Sequence, residues 1–202
     1  MPTLRFTPSC QITSGPWSLS LVPCAYSIVY IGPVRLLFNC CSGAACEAAK
    51  EGIPSTAFSG GTGSQVSYTT LESDPTASSS ESSWIYAALT VHYTETLLDA
   101  FAWPTLPPGV IVNVNYAPID GCSSPFDYRW VFSRNLPDSS ATDIWTCGSN
   151  TLPAENDVVA TSGCYNSVSV LNATTKADVG PELQWEVYSR LLGLPFSCLP
   201  SS

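Results

Sequence analysis

Hydrophobic side chains recur at helical spacing between residues 82 and 102. Steps of four residues place side chains on one face of an α-helix, so this pattern predicts a helix with one buried stripe. The proline cluster at 104–108 cannot continue a helix and predicts its end. The positions of the stripe are Ile85, Leu89, Tyr93, Leu97 and Phe101.

Shorter patterns predict the other elements. Strong helix formers predict a helix over 44–51 that Gly52 stops, and a proline in the first turn favours another over 181–192. Apolar and β-branched runs predict strands. A polar loop is expected over 60–83, and a second loop is expected around Cys147, Gly148 and Pro153. Alternating strands and helices predict an α/β fold layered around a mostly parallel sheet. The four predicted strands cover residues 53–59, 109–118, 126–134 and 164–171.

Residues 1–39 differ from the rest of the chain. Prolines interrupt them repeatedly, and no helical or strand period is sustained. Two apolar runs, 25–32 and 34–38, predict short strands. The pattern becomes regular from Cys40 onward, so we predict an irregular N-terminal segment, 1–39, followed by one domain over 40–198.

Composition and charge narrow the class of protein. The chain has 202 residues, of which 45% are hydrophobic, enough for one sizeable core. The net charge of −9 argues against a nucleic-acid partner, since phosphate backbones bind clustered Lys and Arg. No apolar run is long enough to span a membrane. Only 11% of residues are charged, which favours an extracellular protein, although the first 15 residues contain no clear signal peptide.

The cysteines point to the same compartment. Of nine, the last four are widely spaced and lie near turns, so we predict two disulfides, most simply Cys122–Cys147 and Cys164–Cys198. The odd total leaves at least one free thiol. A single glycosylation sequon at Asn172 agrees with a secreted protein.

Four stretches resemble the SurE family of phosphatases and nucleotidases, in particular its secreted fungal branch. "GAACEAAKEGIPSTAFSG" resembles the helix and strand that follow the phosphate-side loop of the family, and "GVIVNVNYAPI" resembles its "LNVNxP" strand. "LPAENDVVATSGCYNSVSV" and "NATTKADV" resemble its late loop, strand and the approach to its last helix. The order and spacing of the four stretches agree with the family over most of the chain.

The resemblance implies a three-layer α/β/α Rossmann-like fold, with its N-terminal strands incomplete here, and a phosphomonoesterase that uses Mg²⁺ or Mn²⁺. The implied substrates are nucleoside monophosphates and other small phosphate esters, and the implied assembly is a homodimer. In this chemistry the metal binds a phosphate oxygen and activates water, while backbone N–H groups at a glycine-rich loop hold the anion.

This chain departs from the family where the family binds its metal. The family holds the ion with adjacent aspartates in a motif resembling "TNDDG", and no Asp-Asp pair occurs here. The anion loop, "SGTVGAA" in the family, is "NCCSGAA" here. Carry-over leaves Ser42, Gly43 and Ala44 as anion-side residues, with Ser42 as the helix N-cap, and supplies no catalytic or metal-binding residue. The abrupt change at Cys41 favours the hypothesis that residues 16–41 are not family sequence.

Other polar residues have simpler interpretations. His92, mid-helix, is expected to be structural, and the turn from Gly60 to Gly63 is expected to support the cleft rather than act in catalysis. Asn113 and Asn115 share one strand face and need hydrogen-bond partners if buried. Four acids with irregular spacing are interpreted as solvated turn residues. They are Asp120, Asp127, Asp138 and Asp143.

The sequence therefore predicts a metal-dependent phosphatase or nucleotidase by lineage, with impaired turnover because the metal-binding aspartates are missing. The alternative is a secreted, non-catalytic binding protein that retains the scaffold. Measurable phosphatase activity that depends on added metal would distinguish the two.

Overall fold

A computed structural model of the chain describes residues 29–31, 34–36, 40–62, 66–100 and 104–200. The helices are α1 (Cys40–Lys50), α2 (Thr70–Ser73), α3 (Ser78–Asp99), α4 (Glu155–Ala160) and α5 (Pro181–Arg190). The strands are β1 (Val29–Ile31), β2 (Val34–Leu36), β3 (Ser55–Gly60), β4 (Val110–Tyr116), β5 (Arg129–Phe132) and β6 (Tyr165–Asn172). The fold is α/β, as the alternating pattern predicts.

The strands of the described ranges form a central four-stranded sheet and a separate two-stranded one. The central sheet has the order β3-β4-β6-β5, and β1 and β2 pair antiparallel with each other. Pairs β3–β4 and β5–β6 are parallel, whereas β4 and β6 are antiparallel. The sheet is therefore mixed, with an antiparallel pair at its centre that the strand and helix pattern did not reveal.

The larger apolar core lies between the sheet and helices α3 and α5. Val112 and Val114 of β4 point to this side, where they meet Leu89 and Tyr93 of α3 and Val187 of α5. The predicted stripe of α3 is confirmed at its first four positions, which are all buried. The fifth, Phe101, lies outside the described residues.

A smaller core lies on the opposite face of the sheet, under α1. Ala45, Cys46 and Ala49 of α1 pack against Ile111 of β4 and Leu171 of β6. Helix α4 covers the neighbouring part of this face. Small alanine side chains allow α1 to lie close to the sheet, so the sheet has helices on both sides.

The two edges of the central sheet differ in the segments that pair with them. Along β5, the Trp130 N–H donates to Pro195 O (3.2 Å), and the Ser197 N–H donates to Trp130 O (2.8 Å). The segment around Phe196 therefore continues the ladder beyond β5. At the other edge, β3 pairs only with β4 within the described ranges.

Three predicted elements need correction. The polar loop expected over 60–83 contains α2 and the first turns of α3, because serines and Glu81 form helix there without an apolar pattern to reveal it. The loop expected before β6 contains α4. Helix α1 begins at Cys40 rather than at Ala44, so Ser42 lies inside the helix and is not its N-cap.

The disulfide prediction is right about the four cysteines and wrong about their pairing. The bonds are Cys122–Cys164 and Cys147–Cys198. The start of β6 lies beside the segment after β4, which brings Cys164 to Cys122, whereas Cys147 lies beside the C-terminal segment. Cys46 is a buried free thiol, and burial raises its pKa. The two bonds fit an oxidising compartment.

None of the helices in the described ranges combines the length and the apolar character that a membrane crossing requires.

Candidate functional site

The predicted anion-side residues lie in the first turns of α1. Ser42, Gly43 and Ala44 belong to the helix, and a short connection, 51–54, joins it to β3. Helix and strand therefore run in opposite directions, so the start of α1 is directed toward the carboxyl end of β3. A Cβ atom added at Gly43 would meet no atom within 4 Å. Backbone N–H groups at a helix start favour anions in general.

The glycine turn after β3 lies at this same edge of the sheet. The Thr62 N–H donates to Tyr86 Oη (2.9 Å), Tyr86 Oη donates to Ala117 O (3.0 Å), and the Ile119 N–H donates to Thr62 Oγ1 (3.0 Å). The Gly61 N–H is also used, by Tyr116 O at 2.9 Å. The N–H groups of Gly61 and Thr62 therefore have protein partners, and these bonds tie the described part of the turn to the segment after β4.

A group of polar side chains lies on the α1 side of the sheet. We call it the polar face; its members come from β3, β4, β6 and α4. Its centre is Glu155, where Oε2 accepts hydrogen bonds from Asn113 Nδ2 (2.9 Å) and Ser169 Oγ (3.0 Å). The members are Ser59, Asn113, Asn115, Glu155, Ser167 and Ser169.

A second branch of the polar face leads toward the carboxyl end of β3. Ser59 Oγ donates to Asn115 Oδ1 (2.5 Å), and Asn115 Nδ2 donates to Ser167 Oγ (3.1 Å). Asn115 is half-buried, whereas Asn113 is buried. The polar face therefore runs from a buried carboxyl at Glu155 to the carboxyl end of β3, where the glycine turn lies. The predicted need of the two asparagines for partners is confirmed.

Burial changes the acidity of Glu155. Glu155 is only 5% exposed, and the desolvation that comes with this burial raises the pKa of its carboxyl to about 7. The hydrogen bonds from Asn113 and Ser169 oppose the shift, and the charge of Asp178 adds to it. A carboxyl with a pKa near neutrality can hold or release a proton under ordinary conditions.

The polar face does not fit the Mg²⁺ or Mn²⁺ site that the family resemblance implies. It offers one carboxyl, at Glu155, among amides and hydroxyls, whereas these hard cations favour carboxylate oxygens. Across the described ranges, no three His, Cys, Asp or Glu side chains lie close enough together to hold a metal ion.

The other polar residues singled out in the sequence lie elsewhere. His92 is exposed on α3, and Asp120, Asp127 and Asp138 are exposed in turns, as predicted. The interpretation of Asp143 as a solvated acid is wrong, because this residue is 3% exposed and forms an ion pair with Arg134. The guanidinium stabilises the buried carboxylate.

Glu155 was missed from the sequence. It stands in "LPAENDVVA", which reads as a loop because acidic and small residues hide the short helix α4. The available signal was the alternation of Asn113 and Asn115 with valines in β4, which requires polar partners from another element on that face.

No protein-family model, curated protein or solved structure gives a significant match to this chain.

Proposed function

We propose that this chain is a SurE-like domain of the metal-dependent phosphatase and nucleotidase lineage, and that its own turnover of phosphate monoesters is weak. Four stretches resemble the family in the order expected. The finer fold proposed is the three-layer Rossmann-like one, which the α/β architecture and the helices on both faces of the sheet support.

The parallel pair β3–β4 is the observation that carries this proposal. It brings the carboxyl ends of two strands to one edge, and the start of α1 is directed to the same edge. Ligands of open α/β sheets bind outside the carboxyl ends of strands. The proposed substrates are nucleoside monophosphates and other small phosphate esters, with the phosphate beside Ser42, Gly43 and Ala44.

Weak turnover follows from the missing metal ligands. A divalent ion in the family supplies transition-state charge stabilisation and an activated water. The sequence has no Asp-Asp pair, and the polar face offers a single carboxyl. Loss of several kcal/mol of barrier lowering corresponds to turnover at least ~10³-fold slower than in a complete family member.

An activity assay tests this proposal. The purified chain would be given p-nitrophenyl phosphate and nucleoside monophosphates, with and without Mg²⁺ or Mn²⁺. We expect turnover close to background with either metal. Robust metal-dependent turnover would contradict the proposed impairment while supporting the lineage.

Phosphate binding tests the anion-side residues separately. Gly43→Asp adds a negative charge near the start of α1, which favours the helix but repels an anion. Gly43→Ala is the matched control, because its Cβ meets open space. We expect inorganic phosphate, measured by calorimetry, to bind to the wild type and to Gly43→Ala but not to Gly43→Asp. Equal binding by all three proteins would place the anion elsewhere.

The second candidate function is a secreted, non-catalytic binding protein on the same scaffold. The two disulfides favour it, together with the lack of a carboxylate cluster in the described part of the chain. Absence of both phosphate binding and phosphatase activity would favour this function over the first. Both proposals include an extracellular location and a homodimer, which secretion and sedimentation measurements would test. Neither includes a nucleic-acid or membrane partner.

A further inference from the structure

A groove of about 570 Å³ lies beside the β5 edge of the sheet, between the C-terminal segment, α5 and the loop that precedes α4. The proposed phosphate site, by contrast, lies at the carboxyl end of β3, which is the strand at the opposite edge of the sheet. Volumes of this size are typical of small-ligand sites. The side chains that define its character are Phe132, Trp145, Thr146, Ser149, Tyr188 and Phe196.

Trp145 is an exposed indole in a rigid segment. It is 71% exposed, yet its neighbour Ile144 is 5% exposed and donates its N–H to Gln184 Oε1 (2.9 Å). Two residues further on, Cys147 is bonded to Cys198. The backbone on both sides of Trp145 is therefore fixed, so little backbone freedom remains to be lost when a ligand packs on the indole.

A buried polar network fixes the same segment from below. Asp143 Oδ1 accepts from Arg134 Nη1 (2.5 Å) and from Gln184 Nε2 (2.7 Å), and Asp143 Oδ2 accepts from the Leu152 N–H (3.0 Å). The network joins the segment just after β5, helix α5 and both ends of the loop that carries Trp145. The buried network around Asp143 thus supports a loop that exposes the large apolar ring of Trp145 to water. Contact with a ligand explains this exposure better than folding does.

Aromatic rings continue along the surface from the groove. Tyr188 and Phe196 line it, with ring centroids 4.8 Å apart, and the ring of Trp185 lies 6.0 Å from that of Tyr188. Trp185 is itself 56% exposed. Several aromatic faces in succession suit a ligand built from repeated rings, since the electron-rich face of each ring attracts polarised C–H groups.

The groove carries no formal charge. None of its lining residues is Asp, Glu, Lys, Arg or His, and the polar groups that it offers are hydroxyls, among them those of Thr146, Ser149 and Thr151. Ser197 also lines it, and its buried Oγ has no hydrogen-bond partner within the described residues. A neutral lining with hydroxyls does not suit a phosphate ester and does suit an uncharged, hydroxyl-rich molecule.

We propose that this groove binds a neutral carbohydrate chain, with Trp145 stacked on one sugar ring. An extended peptide is less well served, because the outer backbone groups of Trp130, to which a peptide strand would pair, are already bonded to Pro195 and Ser197. The carbohydrate site is independent of the proposed phosphate site and uses none of its residues.

Binding of defined oligosaccharides tests this site. Cellohexaose, chitohexaose and mannohexaose would be titrated at millimolar concentration, with calorimetry and tryptophan fluorescence as readouts. At least one should bind saturably to the wild-type protein. Trp145→Ala should weaken that binding by about tenfold or more, as truncation of a central aromatic anchor does, and Trp145→Phe should weaken it less.

The matched control is Trp84→Ala, which removes another exposed tryptophan, 63% exposed on α3 and outside this groove. It should bind as the wild type does. The proposal is overturned if none of the three hexasaccharides binds, or if Trp84→Ala and Trp145→Ala lose binding equally. Binding of an apolar peptide or of the dye ANS at Trp145, without carbohydrate binding, would instead define an apolar docking surface. Phosphate binding and phosphatase assays do not bear on these outcomes.

Discussion

Arg134 and Asp143 form an ion pair in the interior of the protein, with Nη1 and Oδ1 2.5 Å apart and the Asp143 side chain fully buried. Asp178 lies 3.6 Å from Nη2 of the same arginine. The guanidinium of Arg134, two residues after β5, therefore joins the loop that carries Trp145 to the turn after β6. Pairs of this kind are costly to break, because one partner is left as an uncompensated buried charge.

Asp143→Ala should lower the free energy of unfolding by about 3 kcal/mol, since Arg134 loses its nearest carboxylate and Gln184 and the Leu152 N–H lose an acceptor. Urea denaturation measures the change. Asp138→Ala is the control, because Asp138 is exposed and its bonds are to Ser140 in the same turn. It should change stability by less than about 0.5 kcal/mol. Similar losses in both variants would contradict the role assigned to the ion pair.

The pKa of Glu155 predicts how stability varies with pH. The folded-state pKa is about 7, above the ordinary value of 4.5, so the folded protein holds the proton more tightly than the unfolded chain. Below pH 4.5 the carboxyl of Glu155 is mostly protonated in the folded and the unfolded protein alike, and its neutral form tolerates burial. Stability should then fall by on the order of 3 kcal/mol as the pH rises through 7.

Glu155→Gln should remove much of this dependence, because glutamine keeps the shape without titrating. Denaturant unfolding between pH 4.5 and 8 measures the slope. Asp178, whose pKa is also raised by burial, will leave a smaller slope of the same sign. Glu182→Gln, at an exposed position of α5, is the control. An unchanged slope in Glu155→Gln would show that another group governs the effect.

Two glycines should respond in opposite directions to alanine. A Cβ at Gly61 would lie 2.7 Å from the backbone nitrogen of Pro118, which cannot move as a side chain can. Gly61→Ala should therefore cost about 1–3 kcal/mol. Gly43→Ala should stabilise the protein by up to about 1 kcal/mol, since it lies within α1 and its Cβ meets open space. Thermal unfolding of both variants provides the comparison, and destabilisation by Gly43→Ala would contradict the start of α1 at Cys40.

The disulfide pairing predicts specific peptides. Proteolysis without reduction should release fragments that join Cys122 to Cys164 and Cys147 to Cys198, and mass spectrometry identifies them. Replacing Cys147 and Cys198 together with serine should cost about 2–4 kcal/mol, because a bond spanning 51 residues restricts the unfolded chain. Cys46→Ala, at the free thiol, should cost less. Recovery of a fragment joining Cys122 to Cys147 would contradict the fold around β6.

Periodic elements of the fold could be predicted from the sequence. The stripe of α3 was predictable at Ile85, Leu89, Tyr93 and Leu97 because a helix that covers a sheet needs one apolar face. The strand β4 was predictable because valines alternate along it, and that alternation also placed Asn113 and Asn115 on one face. Local patterns were sufficient for these elements.

Long-range relationships could not be predicted in the same way. Four cysteines allow three pairings, and the partners are separated by 42 and 51 residues, so only the fold selects between them. The antiparallel pairing of β4 with β6 leaves no trace in the composition of either strand. Asp143 resembles any turn acid until Arg134, nine positions away, is seen to meet it in the interior.

The disulfide between Cys147 and Cys198 lies next to the C-terminal segment that pairs with Trp130 at the β5 edge. If it is reduced, the tail that occupies the outer main-chain groups of Trp130 loses its anchor, and those groups become available as a template for a strand of another molecule. The polypeptide made in a thiol-reducing cytoplasm should consequently self-associate, whereas the oxidised form should not. This single disulfide thus determines whether the β5 edge stays covered by the C-terminal segment or becomes free to pair with another molecule.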